Sequence, residues 1–245
     1  MDRPAESATL TTRLDTDIDT HIGTHIDADS DEVQNSKKML SRFLIRYTFA
    51  LQEVSTRIDI LKQEFQTIHE YSPIEHVKQR IKTPESIMQK VKRRGYDWTI
   101  PSIRENIRDI AGIRVSCSFI SDIYRVAGML VQQPDITVVE FKDYIEQPKP
   151  NGYQSLHLTV LMPVYLSDRV ESVYVEIQLR TVAMDFWASL EHKIYYKYNK
   201  EVPQHLRDEL HEVAVDIDRL DKKMERIHKE MLAEKLGGSG EPRGL

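Results

Sequence analysis

Four short stretches carry residue types that could do chemistry on a phosphorylated substrate. In residues 173–180 a strand's period of two puts Val173, Val175, Ile177 and Leu179 on one face. Tyr174, Glu176, Gln178 and Arg180 fall on the other, so a carboxylate, an amide and a guanidinium stand in a row. A strand with one buried and one solvated face would show the same pattern. Asp109 stands just ahead of a second strand-like run, residues 111–117. With Glu176 it would make the sparse carboxylate pair that Mg2+ favours, substrate phosphates and water completing the octahedron. The plain alternative is a helix-capping Asp and an unrelated surface Glu.

The third stretch holds Arg80, Lys82, Ser86 and Lys90. Thr83, Pro84 and Glu85 read as N-cap, N1 and N2 of a helix. Lys82 then stands just before the helix, Ser86 lies in its first turn, and Lys90 shares a face with Ser86. Free N–H groups, the helix dipole, a hydroxyl and two ammonium groups together favour a polyphosphate. No glycine-rich Walker sequence is present, so this is not a P-loop. A basic helix start on a solvated surface is the bland reading.

The fourth stretch is residues 141–157. Pro148, Pro150, Asn151 and Gly152 mark a tight turn. Tyr153 offers a flat ring to a base, Lys142 and Lys149 bring positive charge, and Asn151 and His157 bring hydrogen-bonding groups. Stacking is sequence-tolerant, so hydrogen bonds must supply any base preference. A hairpin-like loop with an exposed Tyr is the alternative.

These stretches need elements to position them. Apolar residues at alternating spacings of four and three run from Leu40 through Leu44, Tyr47, Leu51, Val54, Ile58, Leu61 and Phe65 to Ile68. They predict a heptad helix over 37–70, ended at Pro73. A second seam, Leu206, Leu210, Val213, Ile217, Leu220, Met224, Ile227 and Met231, predicts another over 203–236. The two seams are expected to meet, within one subunit or between subunits. Between them, helices are expected from Thr83 to about Gly95, from Ser121 to before Pro134 and over 183–198. Strands are expected over 111–117, 136–141, 155–162 and 173–180. The fold class is therefore α+β, a mixed β-sheet flanked by helices with long N- and C-terminal amphipathic helices.

Residues 1–36 read as a disordered acidic extension, with no Phe, Trp or Tyr and far more Asp and Glu than Lys and Arg. His21 and His25 in its Thr-rich repeat could hold a metal, but a low-complexity tail is the favoured reading. Residues 37–236 form one domain, and 237–245 a flexible tail. The 245 residues carry a net charge of -5, which argues against a protein that coats nucleic acid. The single Cys117 lies in an apolar run and reads as a small buried residue; with no intramolecular disulfide possible, a reducing cytoplasmic setting fits. No apolar run is long enough for a membrane span, and no signal-peptide pattern opens the chain.

The segments 109–114, 141–157 and 175–181, with the Arg80, Lys82, Ser86, Lys90 series, resemble the synthetase domain of the RelA/SpoT family. The likeness covers about residues 40–232, with its motifs in the family's order, and residues 180–193 resemble the single-domain, RelP-type small alarmone synthetases. The resemblance implies a nucleotidyltransferase-like synthetase fold and a GTP pyrophosphokinase activity. ATP would give its β,γ-pyrophosphate to the ribose 3′-hydroxyl of GDP or GTP, forming (p)ppGpp and AMP. It implies Mg2+ on Asp109 and Glu176, and Arg80, Arg114, Lys82, Ser86 and Lys90 on ATP. Tyr153 would stack on guanine, Lys142, Lys149, Asn151 and His157 would place the acceptor, and Gln178 occupies an active-site position. It also points to a homotetramer; neither a membrane nor an obligatory nucleic acid is expected as partner, and, as a departure from the long members of the family, no hydrolase domain with paired His-Asp motifs is expected ahead of the synthetase region. Two rivals remain: a transferase that moves AMP instead, and a catalytically inert nucleotide-binding regulator.

Overall fold

The computed structural model describes residues 31–69, 71–197 and 202–237. Contacts divide the chain at Met39/Leu40, and the description below concerns the unit from Leu40 on. The acidic repeat with His21 and His25, and the tail after Gly237, lie outside the described residues.

Five strands form one sheet: β1 (Ile74–Ile81), β2 (Ala111–Cys117), β3 (Thr137–Asp143), β4 (Leu156–Tyr165) and β5 (Val170–Thr181). Their order is β1-β2-β5-β4-β3, with β2 and β5 parallel and every other pair antiparallel. The helices are α1 (Asp31–Ile68), α2 (Pro84–Arg94), α3 (Ile100–Asn106), α4 (Ile120–Val131), α5 (Val182–Lys197) and α6 (Gln204–Gly237). This is the mixed, helix-flanked sheet expected from the sequence, and α1 begins at Asp31, ahead of the residue 37 expected.

The alternation in β5 works as read. Val173, Val175, Ile177 and Leu179 are buried, while Tyr174, Glu176 and Gln178 are partly exposed on the opposite face. The apolar face joins Leu156, Leu158 and Val160 of β4, Ile113 and Val115 of β2, and the inward faces of α1 and α4 in the main core. Cys117 is buried there, as expected of a small apolar residue. Thr83 caps α2, its hydroxyl accepting the Ser86 N–H at 3.3 Å, and Gly95 ends that helix at φ 68°.

Two elements escaped the sequence reading. In β1 a bulge between Ile74 and His76 shifts the alternation out of phase, and few of its residues are apolar. Helix α3 has only 7 residues, too few to show a period, although Thr99 and Pro101 repeat the Thr-cap and proline signal that opens α2.

The two heptad seams have different fates. In α1, Tyr47, Leu51, Val54, Ile58 and Phe65 are buried against the domain. In α6, Leu220, Met224, Ile227 and Met231 are exposed, so the two seams do not cover each other within the chain. Instead α6 docks by a neighbouring face. Ala214 and Ile217 pack with Trp187 and Ala188 of α5 in a second small core. Beyond them three acids point inward: Asp218 accepts from Gln154 Nε2 at 3.1 Å, Asp221 from Thr181 Oγ1 at 2.6 Å, and Glu225 from the Ser121 N–H in the first turn of α4 at 3.1 Å. A carboxylate at a helix N-terminus is favoured by its free N–H groups and dipole.

Burial pushes the Asp221 carboxyl up to about 6; the Thr181 hydrogen bond opposes this, and the charges of Asp218 and Glu225 add to it. A folded-state pKa above the unfolded value of 3.8 means that protonation favours the fold. That contribution is whole below pH ~4 and is lost as pH rises through about 6. Asp221→Asn should therefore flatten the pH dependence of stability between pH ~4 and ~8. It should raise the melting midpoint at the upper end by several degrees, from at most about 3 kcal/mol. Calorimetric melting across pH checks this, and an unchanged slope would refute it.

Candidate active site on the polar face of the sheet

Strand register gathers residues from all five strands into two rows. One row across the sheet is Lys78, Arg114, Gln178, His157 and Lys142, on β1, β2, β5, β4 and β3 in turn. The adjacent row is Arg80, Gly112, Glu176, Thr159 and Glu140. Gly112 leaves a gap in that row, and the Arg80 side chain lies across it, its Nε 3.5 Å from where a Cβ would stand. The result is a cleft lined by Lys78, Arg80, Arg114, Glu176 and Gln178. Among the described residues none offers a hydrogen-bond partner to Arg114 Nε, which is buried beside the cleft.

On β5 the polar face forms a continuous chain of contacts. Gln178 donates to Glu176 at 2.8 Å and accepts from Arg180 at 3.0 Å. Arg180 donates to the Tyr153 hydroxyl at 2.5 Å, and that hydroxyl lies 2.8 Å from His157 Nε2. Burial, then the charges of Arg180, Lys149, Lys142 and Arg114, pushes the His157 pKa down to about 3, so the imidazole is neutral at physiological pH. Because Arg180 can only donate, the Tyr153 O–H is free to donate to Nε2. That places the imidazole proton on Nδ1, which faces Glu176 Oε1 at 3.7 Å. The ammonium of Lys149 stands 4.6 Å from the centre of the Tyr153 ring and 4.5 Å from that of Tyr144. Burial draws the Lys149 pKa down, with the neighbouring positive charges of Lys142 and Arg180.

The loop that carries Tyr153 is held on both sides. Asn151 Oδ1 accepts the Tyr153 N–H at 3.2 Å, and its amide donates to Glu191 of α5 at 3.1 Å. Asn151 thus shapes the turn with both ends of its side chain. Gly152 takes φ 85°, and a Cβ there would come within 2.5 Å of Ala214 Cβ on α6. Lys142, on the exposed strand β3, is paired with Glu140 at 2.8 Å.

Asp109 lies at the entry to β2, and both its oxygens are engaged, by Lys82 at 2.5 Å and Lys90 at 2.8 Å. Burial alone would raise its pKa; the two ammonium groups outweigh that and hold it below the usual carboxylate range. Ser86, one turn before Lys90, is exposed at the start of α2. Among the described residues no cluster of three or more His, Cys, Asp or Glu side chains could hold a metal. Asp109 and Glu176 are oxygen donors, the chemistry of a hard cation that takes its remaining ligands from phosphate and water.

Three residues of the cleft escaped the candidate set drawn from the sequence. Lys78 belongs with Arg80 and Lys82 by the period of two, a signal hidden because β1 was not recognised. Arg180 was visible on the polar face of its strand, but its reach to Tyr153 was not. Asp185 lies in the first turn of α5, and nothing local marks it.

Residues 79–201 match the family model described as a region found in RelA / SpoT proteins. The GTP pyrophosphokinase YwaC of Bacillus subtilis (strain 168) is 55% identical over 188 residues, 77% of this chain and 90% of the relative. The GTP pyrophosphokinase YjbM of the same organism is 38% identical over 79% of this chain and 90% of its own length. Among solved structures, the small alarmone synthetase 2 of Bacillus subtilis superposes with TM-score 0.72 at 52% identity, covering 78% of this chain and 98% of that one. The small alarmone synthetase 1 of the same species, bound to its product pppGpp, superposes at 0.74 with 37% identity over 79% and 98%. With the matched region spanning β2 to β5 and most of the polar cleft, the chain belongs to the RelA/SpoT family.

Proposed function

We propose that the chain is a GTP pyrophosphokinase that transfers the β,γ-pyrophosphate of ATP to the 3′-hydroxyl of GDP or GTP. The observation that carries this reading is the polar face of β5, where Glu176, Gln178 and Arg180 form a chain of contacts that runs from the cleft beside the cations of β1 and β2 to Tyr153. Relatives whose names and bound ligands are those of the same reaction support it, among them a small alarmone synthetase of Bacillus subtilis bound to AMPCPP. Arg80 and Arg114 take the adenine side of ATP, and Lys82, Ser86 and Lys90 its phosphates. Tyr153 stacks on guanine, with Lys142, Lys149 and His157 around the acceptor and Asn151 holding their loop.

The acceptor oxygen bonds to the β-phosphorus as the bond from that phosphorus to the α,β-bridging oxygen breaks. The bridging oxygen keeps the electron pair and departs with AMP. Phosphoryl-type transfer depends chiefly on alignment and on neutralising charge at the phosphate oxygens. The Lys and Arg groups supply that charge. Glu176 is the carboxylate placed to receive the hydroxyl proton: its Oε2 accepts from Gln178, and its Oε1 faces the neutral His157 at 3.7 Å. Mg2+, where bound, would be held by Asp109 and Glu176 and would offset charge on the phosphates. Lys82 and Lys90, which hold Asp109 in the free chain, would turn to the phosphates.

No helix among the described residues is long and apolar enough to cross a membrane. We further infer a cytoplasmic enzyme, with residues 37–236 as its synthetase domain. The exposed seam Leu220, Met224, Ile227 and Met231 on α6 supports a homo-oligomer, read as a tetramer, with a second copy covering it.

Four outcomes test these readings. ATP with GDP or GTP should yield free AMP; release of pyrophosphate would mean that AMP had been transferred instead. Glu176→Gln, isosteric on a solvated strand face, should fold but lose at least roughly 10²–10³ in turnover, and near-parental turnover would remove Glu176 from the reaction. Tyr153→Ala should weaken guanine-nucleotide binding by about 1–3 kcal/mol and leave ATP binding nearly unchanged in calorimetry. Finally, Leu220→Glu with Met224→Glu should reduce the molar mass seen by light scattering while circular dichroism stays unchanged. Ile217 is unsuitable for that test because it is buried within the subunit. A monomeric parent at micromolar concentration would refute the oligomer.

A further inference from the structure

Asp185 takes no part in the reaction above, yet it stands where the donor and acceptor sides meet. Its side chain is largely buried at the start of α5. One oxygen, Oδ1, accepts from Arg114 at 3.0 Å and from Arg180 at 3.3 Å, and the other lies 3.5 Å from Lys78 Nζ. We propose that Asp185 is a positioning residue whose shared carboxylate oxygen holds Arg114 on the ATP side and Arg180, with Tyr153, on the acceptor side in one arrangement. This rests on the function proposed above.

The argument is one of charge. Arg180 is only 3% exposed, so water cannot neutralise it. Its partners are Ser155, Gln178, Tyr153 and Asp185, and Asp185 alone among them carries a negative charge. Without it, two guanidinium groups that meet on one oxygen would repel, Arg114 outward into the cleft and Arg180 away from the Tyr153 hydroxyl. Burial and the Arg180 charge already draw the Arg114 pKa down, and Asp185 opposes them. The local fold aims Asp185 at this point. Thr181 Oγ1 accepts the Met184 N–H at 3.0 Å, so α5 starts directly off β5 and its first turn returns over the end of the strand. The carboxylate thereby ties the two nucleotide subsites to one another, although it touches neither substrate.

Asp185→Asn keeps the shape and an acceptor oxygen but removes the charge. Calorimetry on the full chain with AMPCPP and, separately, with GDP should show both dissociation constants rising roughly tenfold to a hundredfold, the range for lost charge-assisted contacts. The KM values should rise with them, more than kcat falls. A merely structural role would lower the binding stoichiometry as molecules unfold and leave the constants of the folded remainder unchanged, which would overturn the proposal. Tyr153→Phe keeps the ring and cuts its bond to Arg180. It should weaken GDP but not AMPCPP, and adding it to Asp185→Asn should cost GDP binding no more than the larger single effect. Full additivity would break the route through Arg180. If the Asn variant does not fold, Asp185→Glu keeps the charge and shifts the shared oxygen by one methylene. Both affinities should then fall together, and a loss confined to one nucleotide, or none, overturns the role. A parent chain that binds neither nucleotide removes the proposed function itself, and this role falls with it. A parent that binds both while Asp185→Asn binds as the parent does removes this role alone.

Discussion

A guanidinium group taken out of water costs several kcal/mol unless its charge and its donors are satisfied. Arg180 meets that requirement at the end of β5, and much of the site follows from how it does so. Its donors reach Ser155 where β4 begins, Gln178 two residues back on its own strand, Tyr153 on the preceding loop and Asp185 on the following helix. Each of these partners is thereby fixed relative to the others. The ring that would meet a base and the amide that touches Glu176 are positioned by the satisfaction of one buried charge.

The sheet supplies the second constraint. A parallel pair needs a long crossover, and between β2 and β5 the chain inserts α4, β3 and β4. The crossover carries the loop of Tyr153 out and returns β5 beside β2, so that Glu176 lies opposite Gly112 and Gln178 opposite Arg114. Because side chains alternate, one register decides the content of both faces. A slip of one residue would bury Glu176 and Gln178 and expose Ile177.

Helix α6 shows how a helix can be amphipathic in two senses. Its apolar seam faces out from Leu220 on, and its docked face begins with Ala214 and the seam residue Ile217 and continues as Asp218, Asp221 and Glu225. These acids contact the residue next to Tyr153, the residue that caps α5 and the first turn of α4. The close approach of Gly152 to Ala214 adds a steric lock to the same loop. A loop preorganised in this way loses less entropy when a ligand orders it. Since the exposed seam lies on the same helix, a second copy seated on it would bear on the element that braces the loop of Tyr153.

By itself the sequence determined whatever depends on local period and local backbone chemistry. The alternation in β5 separated Glu176 and Gln178 from the core, Thr83 and Pro84 marked the start of α2, and the turn at Asn151 and Gly152 was evident from its residues. The family motifs then joined segments that periodicity could not join. The tertiary structure decided what depends on a partner far along the chain. A bulge hid the strand that carries Lys78 and Arg80, because a one-residue insertion reverses the phase of a period-two pattern. The fate of the two heptad seams could not be read, because an apolar stripe records that it will be covered and not by what. Asp185 was invisible for the same reason: a lone carboxylate on a helix becomes a shared counter-ion only when β2 and β5 bring Arg114 and Arg180 to it, across 71 and 5 residues of chain.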